Sequence, residues 1–468
     1  MESAWAAAAW AALAAYAGAV MGAAATQGAA EGGGAPARLV SGALHVGWAG
    51  ADIRPERPVA VVGQLYKRIA RKVRDPLTAT ALALETRSAE GPVEQAIMVS
   101  CDVIMIQRAI QQRVRELVRR ELPDFDVRKL FLNATHTHTA PGFFESTFKG
   151  LYDVSRDEGV MTADEYGEIF ARKVAGAAVE AWRKRRPGAM SWALGHAVIG
   201  HNRRAVYFNG SAAMYGSTAR EDFANIEGGE DHGVEMLFFW AGGKLTGMVV
   251  NIACTAQETE NLSEISADFW HEARLELRRR WGEELFVLAQ CGAAGDQSPH
   301  LLWRKQAEQA MDRRRGLTRR QEIARRIAGA VEDVMPVAKE GMAEELVFMH
   351  DVATVKIPEK QPPAPPFYET DDPAEAELHV IRLGDVAIAT NPFELYLDYG
   401  LRMKGRSRAV LTMVVQLCSG QMGYLPTEKG VRGGGYSADK YVVGPEGGQV
   451  LVEETVKRIN RMWPAGGR

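Results

Sequence analysis

Two histidines separated by one residue give this sequence its clearest chemical signal. His136 and His138 follow the short apolar run Leu130–Leu132, which predicts a buried strand that leads directly into them. Because side chains alternate along an extended chain, both imidazoles point to the same side. Two such rings bind one metal ion together, or one binds it while the other transfers a proton. Core or solvent-facing histidines can have the same spacing, and the Pro141-Gly142 turn with its neighbouring threonines favours the functional interpretation.

Polar segments follow other predicted strands in the same way. Three further apolar runs each lead into such a segment, and the chemically capable residues in these segments are Asp296, Ser298, Glu394 and Tyr424. In α/β folds, ligands bind at the carboxyl ends of strands, and the loops there converge although they are far apart in sequence. We therefore expect one active site at the C-terminal ends of the strands.

Each of these residue types has more than one chemical use. Ser298 is suited to act as a nucleophile or as a hydrogen-bond donor to a developing oxyanion. Glu394 is a candidate metal ligand or base, and Tyr424 is a candidate metal ligand or oxyanion donor. A lone tyrosine is more often a core residue, and a Gly-Asp-Gln-Ser-Pro segment is more often a tight polar loop. The residue types alone therefore leave these alternatives open.

The segments between these polar residues alternate between strand-like and helix-like patterns. Apolar residues recur at helical spacing from Ile110 to Val118. Thr162 and Glu165 predict a capping box at the start of another helix, and a long charged helical region spans about 303–340. Gly384-Asp385 between two apolar runs predicts a hairpin. The mixture indicates an α/β fold, with mixed sheets covered by helices.

Composition narrows the classes of partner. The chain has 468 residues, a formal net charge of -3, 46% hydrophobic and 25% charged residues. These values are typical of a globular protein, and they favour neither nucleic acid nor an anionic membrane surface as a partner. The four cysteines are dispersed and include no CxxC pair. A cysteine-based zinc site and a disulfide scaffold are therefore not indicated.

The N-terminal segment, residues 4–25, is apolar but consists mostly of alanine. The first basic residue is Arg38, and Glu2 stands where a secretory signal has its basic region. Small residues at 23–25 are compatible with a cleavage site, and the protein would then be exported to the periplasm or the extracellular space. An Ala-rich tail on a cytoplasmic protein is the alternative.

The domain organisation follows from a change in composition after this segment. Residues 26–37 are rich in Gly and Ala and are typical of a linker. We predict a leader and linker at 1–43 and a single domain at 44–468. Later apolar runs are too short to span a bilayer, so no transmembrane segment is expected in the mature protein.

Six segments taken together carry a family resemblance. In chain order they are Ala49–Pro55, Thr135–Pro141, Asn202-Arg203, Gly295–Pro299, Asn391–Glu394 and Tyr424–Thr427. They resemble the catalytic domain of the neutral or alkaline, non-lysosomal ceramidase family. The resemblance covers roughly residues 44–460, and six segments in register are far more specific than any one of them.

The resemblance implies a zinc-dependent hydrolase that cleaves a linear amide bond, with N-acyl, ceramide-like lipids as candidate substrates. It implies that Zn²⁺ is bound by His136, Glu394 and Tyr424. The residues implied in catalysis are His138, Arg203, Asp296 and Ser298. In such a mechanism, zinc lowers the pKa of its bound water from 15.7 to about 7, and the resulting hydroxide attacks the amide carbonyl. Tyr424 or Ser298 then stabilises the oxyanion, and His138 manages the leaving-group proton.

The sequence departs from the family pattern at the second zinc-binding histidine, where Thr255 stands instead. Gln257, Glu258, Asp268 and His271 are nearby substitutes. We predict His271 as the replacement zinc ligand because imidazole is the best zinc donor among them. A histidine that packs at the start of a helix is the alternative interpretation.

Two further departures concern a site residue and the extent of the resemblance. His300 stands where the family has asparagine, and the resemblance covers only the catalytic domain. The sequence therefore resembles a divergent branch without the family's C-terminal β-sandwich domain.

Two other functions compete with the hydrolysis of a ceramide-like substrate. One is a zinc hydrolase that acts on a non-lipid substrate, such as a small amide or a glycan derivative. The other is a ceramidase-like protein that binds a ligand without catalysis, because Thr255 replaces a metal ligand.

Overall fold

The computed structural model describes residues 40–148, 150–362 and 368–463. The predicted leader and most of the predicted linker lie outside these residues. The first strand begins at Ser41.

The first half of the chain supplies both long and short strands. In chain order these are β1 (Ser41–Asp52), β2 (Val59–Val61), β3 (Arg68–Ala70), β4 (Thr78–Ser88), β5 (Gly91–Cys101), β6 (Leu130–Ala134), β7 (Arg186–Pro187), β8 (Ala189–His196), β9 (His201–Asn202), β10 (Arg204–Tyr207), β11 (Ala212–Met214) and β12 (Phe223–Ile226). The second half adds β13 (Gly233–Ala241), β14 (Lys244–Ile252), β15 (Phe286–Cys291), β16 (Gln297–Ser298), β17 (Glu345–Val355), β18 (Ala376–Leu383), β19 (Val386–Thr390), β20 (Glu394–Leu395), β21 (Leu411–Val415) and β22 (Tyr424–Leu425).

The helices connect these strands. They are α1 (Arg108–Glu121), α2 (Ala163–Arg183), α3 (Phe269–Trp281), α4 (Lys305–Arg315), α5 (Arg319–Glu340), α6 (Leu397–Arg406), α7 (Glu428–Gly433) and α8 (Pro445–Arg461), with short 3-10 turns at Val127–Lys129, Ser146–Phe148 and Pro373–Glu375. The charged region predicted as one helical stretch is divided into α4 and α5. Gly316 separates them because it adopts a left-handed φ of 67°, a conformation that glycine tolerates and that ends a helix.

Two sheets form the centre of the fold. The larger has the strand order β21-β19-β18-β17-β1-β4-β5-β6, with β7 paired to β1, and the smaller has the order β15-β14-β13-β8. Their inner faces pack together through apolar side chains from both sheets, among them Leu82, Leu237 and Val249. Both sheets mix parallel and antiparallel pairs.

Helices cover the outer faces of both sheets. On the larger sheet, α1 and α2 pack against the face that carries Ala81 and Ala83, and α8 packs against β18 and β19. On the smaller sheet, α3 and α5 cover the outer face. Strands covered on both sides read as nearly continuous apolar runs, as they do here. The predicted α/β fold with mixed sheets covered by helices is therefore confirmed.

The start of α2 illustrates how local sequence sets an element. Thr162 accepts a hydrogen bond from the backbone N–H of Glu165, and the Glu165 carboxylate accepts one from the backbone N–H of Thr162. This capping box satisfies two backbone donors that the helix leaves free. Tyr166, Phe170 and Val174 follow at helical spacing and are buried against the larger sheet.

Three parallel pairs determine where the polar segments meet. Each of the pairs β5/β6, β14/β15 and β19/β21 is joined by one helix, which is α1, α3 and α6, respectively. The ends of these strands are tied by backbone hydrogen bonds, from Ala134 N to Leu417 O (3.2 Å), Gln416 N to Cys291 O (3.0 Å) and Asn391 N to Val415 O (2.9 Å). The carboxyl ends of β6, β15, β19 and β21 thus converge.

Candidate active site

His136 lies two residues past the end of β6, in a turn that fixes its ring. Its φ of 64° is in the left-handed region, which is unfavourable for a residue with a Cβ atom. Its backbone N–H donates to Val103 O (3.0 Å), and its Nδ1 lies 2.7 Å from Ile104 O. Since a carbonyl only accepts, Nδ1 carries the proton and the neutral ring has its lone pair at Nε2. That nitrogen faces Glu394 Oε2 at 3.4 Å.

Glu394 and Tyr424 come from the two short strands β20 and β22. The strands pair in parallel, with Glu394 directly opposite Tyr424. Tyr368 donates its hydroxyl proton to Glu394 Oε1 (3.0 Å), which leaves Oε2 for His136. Burial, with Glu394 as the next cause, holds the pKa of the Tyr424 phenol well above its usual value. The phenol is therefore neutral at pH 7 unless a cation is bound beside it.

Arg203 supplies a buried positive charge beside this group. Only 1% of its surface is exposed. Its guanidinium donates to Tyr215 Oη (3.0 Å), Gln257 Oε1 (3.1 Å) and Gly295 O (2.9 Å), and Nη2 lies 3.4 Å from the Tyr424 hydroxyl. All of these acceptors are neutral, and no carboxylate among the residues that the structure describes forms an ion pair with it, so it can stabilise negative charge that develops near Tyr424.

His138 is buried next to His136. The two Nε2 atoms are 3.2 Å apart, and Gln257 Nε2 lies 2.7 Å from His138 Nε2. On the other side of the ring, Nδ1 is 3.4 Å from Glu260 Oε2. Burial, followed by the neighbouring His136, holds the pKa of His138 well below its usual value.

Asp296 is used by the scaffold. Its Oδ1 accepts from the backbone N–H of Leu397 (2.9 Å), and its Oδ2 accepts from Asn202 Nδ2 (2.8 Å). Burial raises the pKa of this carboxyl to about 6. With both oxygens engaged, Asp296 holds β9 and the start of α6 together, and it does not line the cavity at the site. A direct catalytic role for Asp296 therefore has no support in this geometry.

Ser298 lies close to the site but does not line the same cavity. It is fully buried in β16, its Oγ accepts from the backbone N–H of His300 (3.1 Å), and it is hydrogen bonded to the Tyr215 hydroxyl. Tyr215 in turn contacts Arg203. Ser298 is therefore connected to Tyr424 indirectly, through the hydrogen bonds of Tyr215 and Arg203.

The structure does not bring His271 to the other predicted ligands. His271 is in the first turn of α3, and its Nε2 is 3.7 Å from Asp75 Oδ1, a carboxylate that also binds Arg320. The turn at Asp268 directs the ring toward this ion pair, because Asp268 is the N-cap of α3 and its carboxylate accepts from the backbone of Thr259 and Phe269. The prediction of His271 as the replacement ligand thus lacks geometric support.

Gln257 occupies the place beside His138 instead. The hydroxyl of Thr255, the residue at the position of the missing histidine, donates to Gln257 Oε1. His300 is farther out, with its Nδ1 3.8 Å from Glu260 Oε1. Of the possible substitutes suggested by the sequence, Gln257 is the one hydrogen bonded to His138.

These side chains surround a small, partly open cavity. His136, His138, Glu394 and Tyr424 form its polar part. The remaining lining is mostly aromatic and aliphatic: Gly63, Gln64, Leu65, Ile104, Met105, Phe148, Leu151, Tyr152, Tyr368 and Tyr436. The arrangement suits a ligand with a polar reactive group at one end and an apolar body.

The chemistry of His136, Glu394 and Tyr424 suits the zinc ion that the sequence resemblance implies. The lone pair of His136 Nε2 faces a carboxylate oxygen of Glu394, and two acceptors at 3.4 Å need a proton or a cation between them. Tyr424 lies in register with Glu394 and adds a third donor. The orienting hydrogen bond from His136 Nδ1 to Ile104 O is one that metal-binding histidines usually have. The residues fit a zinc ion with one nitrogen and two oxygen ligands.

The phenol is essential to this interpretation. Within residues 40–148, 150–362 and 368–463, no three His, Cys, Asp or Glu side chains are grouped closely enough to hold a metal ion. His136 and Glu394 therefore need Tyr424 to complete a set of three ligands, with the fourth position open.

Several site residues were not identified from the sequence. Glu260, Tyr215, Tyr368 and Tyr436 lie in irregular segments, where neither helical nor alternating periodicity marks a face. Their only signal is the presence of polar and aromatic residues near the motifs, which is too common to be diagnostic.

No helix among the described residues is long and apolar enough to cross a bilayer.

Comparisons with known proteins give the fold an independent reference. No protein-family model matches the sequence, and no curated protein matches it. Solved structures do. The neutral ceramidase from Pseudomonas aeruginosa is similar with a TM-score of 0.70 and 16% sequence identity, over 91% of this chain and 76% of that one. A ceramidase complexed with C2 is similar with a TM-score of 0.67 and 16% identity, over 89% of this chain and 74% of that one. The resemblance predicted from the motifs is therefore confirmed in the fold.

Proposed function

We propose that this protein is a zinc-dependent hydrolase that cleaves the amide bond of an N-acyl, ceramide-like lipid. One observation carries the proposal: His136 Nε2, Glu394 Oε2 and the Tyr424 hydroxyl are grouped at the polar part of a largely apolar cavity. The fold similarity to two ceramidase structures supports the same reaction class.

The lining of the cavity supports an apolar substrate. Ile104, Met105, Phe148 and Leu151 offer hydrocarbon contact. An amide with an attached alkyl chain would place its carbonyl at His136 and Glu394 and its chain against these side chains. Burial of each methylene contributes about 0.8 kcal/mol.

Each polar residue has a distinct role in the proposed reaction. A zinc ion held by His136, Glu394 and Tyr424 would supply Lewis-acid activation of water at neutral pH. Tyr368 fixes the Glu394 carboxylate through its hydrogen bond to Oε1. Arg203, 3.4 Å from the Tyr424 hydroxyl, stabilises the negative charge that develops on the amide oxygen. His138 accepts and returns the proton that the leaving amine needs.

The metal is tested first on the purified full-length protein by elemental analysis. We expect one equivalent of zinc in the wild type and none in His136→Ala. His196→Ala removes an exposed histidine at the end of β8 and should keep the full equivalent. Wild-type protein that stays metal-free after incubation with zinc would refute the proposed cofactor.

The substrate class is tested separately with short-chain and long-chain N-acylsphingosines beside small non-lipid amides. We expect hydrolysis of the N-acylsphingosines and little turnover of the small amides. Faster turnover of the small amides would instead support the non-lipid hydrolase.

A second function has one specific observation in its favour. Thr255 and Gln257 fill the position where the resemblance expects another zinc-binding histidine. A protein that keeps the cavity but lacks a full metal shell would bind an N-acyl lipid without cleaving it. Saturable binding of an N-acylsphingosine with no product after prolonged incubation in zinc would support this alternative.

A further inference from the structure

The side-chain amide of Gln257 has a fixed orientation. The guanidinium of Arg203 can only donate, and it lies 3.1 Å from Gln257 Oε1. The hydroxyl of Thr255 donates to the same oxygen. With two donors at Oε1, the amide nitrogen Nε2 must point the other way, toward His138.

This orientation determines which nitrogen of His138 carries the proton. Gln257 Nε2 is 2.7 Å from His138 Nε2 and can only donate. His138 Nε2 is therefore the acceptor, and the proton of the neutral ring lies on Nδ1. Glu260 Oε2 lies 3.4 Å from Nδ1, which is longer than an ordinary hydrogen bond but close enough for electrostatic attraction to the N–H group.

Glu260 is itself held in place by its backbone. Its carbonyl oxygen accepts from Arg68 Nη1 (2.6 Å) and from Gln64 Nε2 (3.4 Å), which ties this loop to the segment that carries Gln64 and Arg68. Its carboxylate also lies 3.3 Å from Gln257 Nε2. The amide, the imidazole and the carboxylate thus form one connected group.

We propose that Gln257 is a positioning residue that locks His138 in the Nδ1–H tautomer, with Glu260 facing the protonated nitrogen. The pair Thr255–Gln257 provides this function where the family resemblance expects a metal-binding histidine. The proposal rests on the proposed function for its catalytic meaning, because two unprotonated Nε2 atoms 3.2 Å apart, those of His136 and His138, need the nearby cation that the proposed function places at His136. The tautomer itself can be measured without any turnover.

The test uses long-range ¹H–¹⁵N correlation spectra of the imidazoles in deuterated, full-length protein at pH 8, with His138 assigned from the signals lost in His138→Ala. We expect wild-type His138 in the Nδ1–H form. Gln257→Glu replaces the donor by an acceptor of the same shape and should convert His138 to the Nε2–H form. The control Gln306→Glu makes the same substitution at an exposed position of α4, away from the site, and it should leave the tautomer unchanged.

Kinetics give a second readout. Gln257→Glu should lower kcat for amide hydrolysis at least tenfold with little change in KM, because the substrate does not need Gln257 for binding. An Nε2–H tautomer in the wild type, or an unchanged tautomer in Gln257→Glu, would overturn the proposal. A wild type that shows the expected tautomer but hydrolyses no amide would refute the proposed function and leave the tautomer lock in place.

Discussion

Glu394 and Tyr424 are direct partners in the parallel pairing of β20 and β22. Each strand has only two residues, so the backbone register alone sets the carboxylate beside the phenol. A shift of one residue would turn both side chains to the opposite face. The arrangement of these two candidate ligands is therefore built into the backbone before any metal binds.

Removal of the phenolic oxygen should weaken metal binding. Tyr424→Phe keeps the ring and its edge contact with Tyr436 but loses the third ligand. In a chelator competition assay, we expect the zinc dissociation constant to rise at least tenfold. Loss of residues that only orient the ligands already has an effect of this size. Tyr399→Phe is the matched control, since its hydroxyl donates to Pro426 O away from the cavity. Equal affinity in Tyr424→Phe and the control would exclude Tyr424 as a ligand.

The left-handed backbone at His136 should lower the free energy of unfolding of any variant that keeps a Cβ atom there. At a φ of 64°, glycine avoids the clash of a Cβ atom, which costs about 1–2 kcal/mol. Glycine also loses more conformational entropy on folding, which offsets part of the gain. We expect the free energy of unfolding of His136→Gly to exceed that of His136→Ala by about 0.5–1 kcal/mol in urea titrations. Both variants lack the ring, so the difference isolates the backbone; a more stable alanine variant would contradict the strain.

Two variants test which residue, if any, replaces the zinc-binding histidine that the resemblance expects at Thr255. Because the His271 ring faces Asp75, His271→Ala should retain full zinc content and at least half of the wild-type kcat. Thr255→His should displace Gln257 from His138 and raise zinc affinity, since imidazole is a good zinc donor. Zinc content and dissociation constants of both variants decide the matter. Loss of zinc in His271→Ala would restore the ligand assignment made from the sequence.

A second buried histidine pair should make stability depend on pH. His350 Nε2 lies 2.9 Å from His379 Nδ1, His379 Nε2 lies 2.9 Å from Glu377 Oε1, and Arg115 pairs with the same carboxylate at 2.8 Å. Burial lowers the pKa of His379 and, with His379 as the next cause, holds that of His350 well below its usual value. Burial opposes ionisation of Glu377, but hydrogen bonds from His379 and Arg115 hold its pKa well below the usual range.

The pKa values of His350, His379 and Glu377 are all lowered in the folded protein. Below the ordinary histidine pKa of about 6.5, the unfolded chain takes up protons that the folded pair resists, so stability falls as the pH falls. The contribution of Glu377 is present above its unfolded pKa and is lost only in stronger acid. We expect the urea midpoint to drop between pH 7.5 and 5.5, and the drop to be smaller in His350→Gln. His196→Gln, at an exposed site, should keep the wild-type slope; an equal slope in His350→Gln would contradict the prediction.

The sequence was sufficient to predict the elements that depend on residues close together in the chain. The capping box at Thr162 is present, and the hairpin around Gly384-Asp385 joins β18 to β19. His136, Glu394 and Tyr424 were brought together by reasoning from strand ends. This reasoning succeeded because the helical crossovers place the ends of the parallel strands at a common edge.

The sequence was insufficient where irregular backbone sets the geometry. The direction of His271 depends on the turn at Asp268, whose φ is 54°, and no periodicity reveals such a turn. The break between α4 and α5 depends on one glycine in a charged region that otherwise reads as helix. Gln257 and Glu260 act through contacts across the cavity, and these exist only after the sheets have packed.

The order of the strands has a consequence for biosynthesis. β1 pairs with β4 from Ala43 to Asp52 but with β17 only through Ser41, Gly42 and Ala43. Strands β1, β4, β5 and β6 can therefore assemble while the ribosome is still translating the rest, since chains begin to fold from the N-terminus during synthesis. His136 is then in place long before Tyr424 has been made. Under the proposed function, a zinc ion would therefore find all three of its proposed ligands together only after β22 has been made and has paired with β20.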